Sequence, residues 1–220
     1  LLRPLPYPEP GRLALACETS ERMRQMLGYR EIPASPMIAQ LWRDQARSLE
    51  HTGFFSGLSQ NFAVEGSAKR LRGARVTSGF FTALGVPTLL GRSIDPSEDL
   101  PGRPGVIVLS YNLRESRVLT SPTIVGTRIR VDDSELEVIG VMPQGFNFPR
   151  GSEHVSDTRI PEETRFWRPL ALSPTEWKNL GNHSLGTIAR LRPGVSPAQA
   201  QHELAALSLG KSGTVHASPF

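Results

Sequence analysis

The sequence predicts a mixed α/β fold of the α+β kind, with strands and short helices interleaved along the whole chain. Three observations carry this. Apolar residues alternate with small or polar ones in short runs, as at Leu13, Leu15 and Cys17, which is the period of a strand. Serine-proline pairs, Ser35-Pro36 and Ser196-Pro197, head stretches in which apolar residues recur at helical spacing. Glycines stand between the runs, as at Gly85 and Pro193-Gly194, where chain reversals are expected.

In chain order, Pro4, Pro6, Pro8 and Pro10 set a stiff extended lead-in ahead of the strand that begins at Leu13. Ser35 is expected to cap a helix with Pro36 in its first position. Ile38, Leu41, Trp42, Gln45 and Leu49 form its buried stripe, and Trp42 is read as a core anchor. Residues 53–64, with Phe54, Phe55, Leu58, Phe62 and Val64, and residues 70–77 read as strands. Ser78 then opens a short helix through Phe80, Phe81 and Leu84, closed by Gly85 in the left-handed conformation.

Val106–Leu109 is a short apolar strand, and Ser110 is expected to cap a polar helix reaching about Val118. Residues 127–131 and 135–141 form a hairpin around Asp132-Asp133-Ser134, with Arg128 and Arg130 facing Glu135 and Glu137. A tight turn there places a positive φ on Asp133, where glycine would be more stable by about 1 kcal/mol. Arg150 to Arg165 reads as a polar loop. Leu185, Thr187, Ala189 and Leu191 alternate as a strand. Ser196-Pro197-Ala198-Gln199 is a capping box, with Val195 and Ala200 in the staple positions and Leu204 and Leu207 on the stripe before Gly210. Thr214 to Phe220 ends the chain in extended form.

Composition narrows the function. With 220 residues, 38% hydrophobic and 21% charged, the chain is globular, as one large domain or two small ones. The longest apolar run, Leu13 to Cys17, is far short of the roughly 20 residues of a membrane-crossing helix. Cys17, the single cysteine, excludes an intramolecular disulfide and a zinc site of paired cysteines. The opening Leu1-Leu2-Arg3-Pro4 has neither an initiator methionine nor a signal-peptide pattern, and reads as an internal piece of a longer polypeptide. The net charge of +4 is spread among interleaved arginines and acids, a poor footprint for nucleic acid. Lys69, Arg70, Arg72 and Arg75 are the densest basic group. Without interleaved aromatics they read as the solvated face of a strand.

The search for chemistry turns up one acidic group and no complete motif. Gly210-Lys211-Ser212 lacks the upstream glycine of a phosphate loop and follows a helix, so it reads as a helix stop. Ser110 lacks the flanking glycines of a nucleophile elbow. Asp95, Glu98 and Asp99 could pair as general acid and base or bind calcium, and are better explained as turn and helix-capping residues. His51, His154, His183, His202 and His216 show no metal-site spacing.

Several segments taken in order carry a family resemblance: Leu2-Arg3-Pro4-Leu5-Pro6-Tyr7-Pro8, Arg70-Leu71-Arg72-Gly73-Ala74, Gly79-Phe80-Phe81-Thr82-Ala83-Leu84-Gly85-Val86 and Gly91-Arg92. They continue with Val106-Ile107-Val108-Leu109-Ser110-Tyr111, Ile124-Val125-Gly126, Val138-Ile139-Gly140-Val141-Met142-Pro143, Gly145-Phe146, Phe148-Pro149, and Ala189-Arg190-Leu191-Arg192-Pro193-Gly194-Val195-Ser196 with Ala200-Gln201. From residue 2 to about 207 the chain resembles the MacB-like periplasmic core domain of bacterial ABC transporter permeases, especially large permeases with two such domains. It departs from the family at Leu113-Arg114, at Val118-Leu119-Thr120-Ser121, and at Asp132-Asp133, where relatives carry Asp-Gly.

The resemblance implies a periplasmic domain inserted between the first and second transmembrane helices of a permease. It implies a porter-like βαβ-type module at 1–88 and 183–220, with a smaller sabre-like α/β module inserted at 89–182. It implies no catalytic, cofactor-binding or metal residues and no cofactor. A separate cytoplasmic ATPase subunit would hydrolyse ATP, and this domain would convert the cycle into substrate export or extraction by mechanotransmission. The expected partners are the permease's own transmembrane helices, that ATPase subunit and a periplasmic partner protein, with no nucleic acid. The isolated domain would be monomeric, with Arg3 and Phe220 on one side of the fold. The loop at 150–165 and the insert around Arg114 would face partners. The rival readings are a secreted hydrolase using Asp95, Glu98 and Asp99, and a free-standing ligand-binding module.

Overall fold

The computed structural model describes residues 7–19, 25–26, 28, 31–64, 67–116, 123–146, 164–209 and 215–219. Its strands are β1 (Leu13–Thr19), β2 (Glu31–Ile32), β3 (Leu49–Val64), β4 (Ser67–Val76), β5 (Leu90–Gly91), β6 (Val106–Leu109), β7 (Arg128–Val131), β8 (Ser134–Val141), β9 (Phe166–Pro169), β10 (Gly186–Leu191) and β11 (Val215–Pro219). Its helices are α1 (Pro36–Gln45), α2 (Gly79–Leu84), α3 (Tyr111–Glu115), α4 (Pro174–Trp177) and α5 (Pro197–Ser208). The mixed class expected from the sequence is the observed one.

All the described strands join one sheet in the order β11-β1-β10-β3-β4-β9-β6-β8-β5, with β2 on β1. The remaining strand, β7, pairs with both β3 and β8. That double pairing closes a ring, β3-β4-β9-β6-β8-β7, so the far part of the sheet curls into a small barrel. The closing pair is Phe62↔Val131. Two of the ring's ladders are parallel, β4 on β9 and β6 on β8.

Three apolar cores follow from this topology. On one face of β1, β10 and β3, helices α1 and α5 bury Ala14, Ile38, Trp42, Phe54, Ala189 and Leu204. Trp42 is the expected anchor, and its indole N–H donates to Ser208 Oγ at 3.0 Å. On the opposite face, α2 sets Phe80 and Phe81 against Leu13, Phe55 and Ile188, and this core continues onto Val108 and Trp167 on the outside of the barrel. The third core fills the barrel with Phe62, Leu71, Ile107, Val138 and Phe166. Strand β10 is consequently buried at all six positions rather than alternating, because helices cover both of its faces. At Gly53 a Cβ would come within 2.4 Å of Phe80 Cα, so glycine is what lets α2 lie on β3.

Arg190 ties the second core to the lead-in. Buried in β10, it donates to the carbonyls of Ala83 (2.9 Å) and Leu84 (3.1 Å) at the end of α2, and to Pro8 (3.1 Å). The orphan carbonyls of a helix end thus receive a cation, which the helix dipole also favours.

The local chemistry departs from expectation at several points. Ser110 and Ser196 accept from Leu113 N–H and Gln199 N–H as predicted, and Ser196 completes its capping box with Gln199. Ser35 and Ser78 make no side-chain cap. Their backbone N–H groups donate instead to carboxylates from elsewhere, Glu18 Oε1 (2.6 Å) and Asp99 Oδ2 (3.1 Å). Helix α1 stops at Gln45, so Leu49 belongs to β3, and α3 stops at Glu115. The described end of the proline lead-in makes a 3-10 turn over Pro10–Arg12 in place of continuous extended chain. Arg3, Pro4, Pro6, residues 117–122, most of the 150–165 loop, residues 210–214 and Phe220 lie outside the described residues.

The β7–β8 turn corrects the sequence reading in detail. Its register is the expected one, Arg128↔Glu137 and Arg130↔Glu135, around two turn residues. The positive φ, however, falls on Asp132 (50°), and Asp133 has none. The Asp132 carboxylate accepts from Asn61 N–H (2.9 Å), Asn61 Nδ2 (3.0 Å) and Gln60 Nε2 (2.8 Å), and these bonds hold its carboxyl below the usual range. Asp133→Gly is therefore expected to leave stability unchanged, whereas Asp132→Ala should lower it by about 1 kcal/mol. Denaturant unfolding of the two variants measures the contrast.

Candidate functional site

The acidic group singled out from the sequence lies on the segment that follows β5. Arg92 forms a two-armed ion pair with Glu98, Nη1 to Oε2 at 2.8 Å and Nη2 to Oε1 at 2.7 Å. The guanidinium holds the Glu98 carboxyl below its usual range. Asp95 accepts from Ser97 N–H (2.8 Å) and Ser97 Oγ (2.6 Å), which lowers its pKa, and Asp95 N–H donates to Glu98 Oε2 (2.8 Å). This is half of a capping box, since Glu98 N–H donates to the Asp95 carbonyl and not to its side chain, and the chain makes a turn here with no helix following.

Asp99 faces elsewhere. Half-buried, it accepts from Ser78 N–H at the entry of α2 (3.1 Å) and from Ala171 N–H beyond β9 (2.8 Å), and burial pushes its pKa up. Asp95, Glu98, Arg92, His51, Thr52 and Thr82 line an open cleft of ≈ 680 Å³, and Asp99 is not among its walls. Each carboxylate is thus committed to holding backbone or a cation. A general acid and base working as a pair need oxygens free to meet substrate.

The other candidates are dispersed. His183 Nδ1 lies 3.4 Å from Glu18 Oε1, and that buried carboxylate raises its pKa above the ordinary 6.5. His51 and His202 are exposed on β3 and α5, His216 is in β11, and His154 is outside the described residues. Among the described residues no group of His, Cys, Asp and Glu is placed to hold a metal. Cys17 is buried, and its thiol is pushed up to about 12 by that burial. Lys69, Arg70, Arg72 and Arg75 are all exposed on β4. Arg70 and Arg72 stand opposite Asn61 and Ser59 on the outside of the barrel.

Glu18, Arg168 and Arg190 escaped sequence reasoning. Glu18 and Arg190 sit at positions that strand alternation assigns away from the predicted apolar stripe, and both are buried there, whereas Arg168 shares the barrel-facing side of β9 with Phe166 and is half-buried. The only signal was a charged residue inside an otherwise apolar run.

Three cores are thus built on one long hairpin, and Asp95, Glu98 and Asp99 hold backbone or a cation. The family model for the MacB-like periplasmic core domain matches residues 19–207. The chain belongs to the MacB-like periplasmic core domain family. As such it is an extracytoplasmic domain of an ABC-type transporter permease.

Solved structures share its fold. A permease-protein domain from Porphyromonas gingivalis is similar at 17% identity and a TM-score of 0.68, covering 97% of this chain and 93% of that one. The extracellular domain of the noncanonic ABC-type transporter YknZ from Gram-positive bacteria aligns at 12% identity and a TM-score of 0.62, over 94% of this chain and 99% of that one. The periplasmic region of MacB from Actinobacillus actinomycetemcomitans aligns at 15% identity and a TM-score of 0.62, over 94% and 88%. No curated protein matches the sequence.

Two outcomes test the site assignments. Asp99→Ala should lower unfolding free energy by about 2 kcal/mol, because two backbone donors lose their acceptor. The loss should exceed that of Asp95→Ala or Glu98→Ala in the same denaturant series. His183 has a raised folded pKa, so its contribution is fully present below pH 6.5 and is lost as the pH rises through the folded value. Stability measured across that window should step downward, and His183→Gln should remove the step.

Proposed function

We propose that this MacB-like domain has no chemistry of its own and couples ATP hydrolysis in a separate cytoplasmic subunit to substrate export or extraction. The observation that carries the reading is the β3–β4 hairpin, which runs from the helix-covered sheet into the barrel and belongs to both. A stiff element shared by two cores moves them together, which a coupling part requires.

In this reading residues 1–88 and 183–220 form the porter-like part and residues 89–182 the sabre-like insert, with the hairpin, itself within 1–88, reaching out to pair with β7 and β9 of the insert. The two ends of the chain lead to the first and second transmembrane helices of the permease. Antiparallel pairing of β1 with β11, which sets Ala14 opposite Pro219, supports a common exit side. A periplasmic partner protein would receive the motion.

The test is a full permease reconstituted with its ATPase subunit. Excising this domain should leave ATP hydrolysis in place and abolish substrate movement. Transport that survives the excision would refute coupling. Turnover of an ester, peptide or glycoside by the purified chain, lost on replacing Asp95, Glu98 and Asp99 with alanine, would favour the hydrolase instead.

A further inference from the structure

Arg75 of β4 and Arg168 of β9 are direct partners across a parallel ladder, so their side chains leave the same face of neighbouring strands. Two residues before them, Gly73 and Phe166 turn toward the barrel core, where the Phe166 ring lies against Gly73. The two arginines therefore stand together at the mouth of the barrel. Arg75 is exposed and Arg168 is half-buried.

Neither guanidinium has an ion-pair partner among the described residues. Arg168 donates from Nη1 to Gln60 Oε1 (2.9 Å), and Gln60 Nε2 donates in turn to Asp132 Oδ2 (2.8 Å). That relay fixes the orientation of one fork and leaves its other donors unspent among the described residues. The nearby acids are occupied: Asp132 by Asn61 and Gln60, and Glu176 by Ser173 N–H (2.8 Å) and Ser173 Oγ (2.7 Å). Burial, and after it the charge of Arg75, depresses the Arg168 pKa. Asp132 and Glu176 offset part of this charge from a distance, but neither is in direct contact with a guanidinium, so the two adjacent cations still favour an anion placed between them.

We propose that Arg75 and Arg168 together bind one carboxylate, presented by an acidic side chain of a protein partner. Two guanidinium forks on neighbouring strands match a carboxylate held from both sides. Asp132 and Glu176 flank the pair, and their charges favour a monoanion over doubly charged phosphate. Arg168 is half-buried and linked through Gln60 to Asp132 of the β7–β8 turn, which suits a carboxylate carried on a side-chain stem better than a flat lipid surface. The site goes beyond the coupling role and does not depend on it.

The experiment uses the isotopically labelled 220-residue chain. Its arginine Nε–Hε resonances are followed while oligoglutamate, oligoglutamine or inorganic phosphate is added. Oligoglutamate should shift Arg75 and Arg168 saturably and more weakly as salt rises, and oligoglutamine should not. Arg75→Gln should weaken binding at least about tenfold while leaving the melting temperature nearly unchanged, since it breaks no hydrogen bond and removes both the repulsion of Arg168 and the attraction of Glu176. Arg168→Lys keeps the charge and loses the fork, and should weaken binding as well. Absence of shifts, binding unaltered in both variants, or phosphate saturating both resonances at lower concentration than the peptide would each overturn the proposal.

Discussion

Everything in this structure depends on β3 remaining one unbroken strand from Leu49 to Val64. At about 3.3 Å per residue it spans roughly 50 Å, far more than the usual strand. Its aromatic residues show what that length achieves. Phe54 and Phe55 point to opposite faces and enter the two cores on either side of the sheet, and Phe62 enters the barrel. Each buried ring contributes on the order of 2 to 3 kcal/mol, so three cores are stabilised from a single backbone. A break in β3 would separate them.

What the sequence made legible was local. Alternation located β1 and β10, an unbroken apolar run located β6, and Gly85 closed α2 with a φ of 70°. The two serine-proline pairs show where local reasoning stops. Ser196 has Gln199 three positions on and completes a capping box, whereas Ser35 has Ile38 there and nothing to reciprocate. Its N–H is taken by Glu18 from a neighbouring strand, a partner that no window around residue 35 contains. The positive φ at Asp132 has the same origin. The turn is two residues long either way, and the choice of residue is made by Asn61 and Gln60, some seventy positions earlier.

The acidic group was legible in type and hidden in purpose. Its reading as turn chemistry was right for Asp95 and Glu98, whose partners lie within a few residues, while the helix they were expected to cap does not form. Asp99 instead joins Ser78 to Ala171, segments 93 residues apart on the chain, and only the closed topology brings them together. The family, by contrast, was readable from motifs in sequence order, because order along the chain survives when identity with solved relatives falls to 12–17%.

The closure of the barrel is thinner than its walls. Strands β3 and β4 pair without a break from Phe55↔Val76 to Val64↔Ser67, whereas β7 meets β3 through the single pair Phe62↔Val131. What supplements that pair is polar: Asp132 N–H to Asn61 O (2.7 Å), and the Asp132 carboxylate on Asn61 and Gln60. Gln60 also receives Arg168, so the seam and the arginine pair share one hydrogen-bonded chain. Hydrogen bonds in such a chain polarise one another, and a carboxylate drawn onto Arg168 changes what Gln60 and Asp132 experience. Binding at the mouth of the barrel therefore acts on the bonds that keep it closed, at the one place where the backbone ladder contributes least.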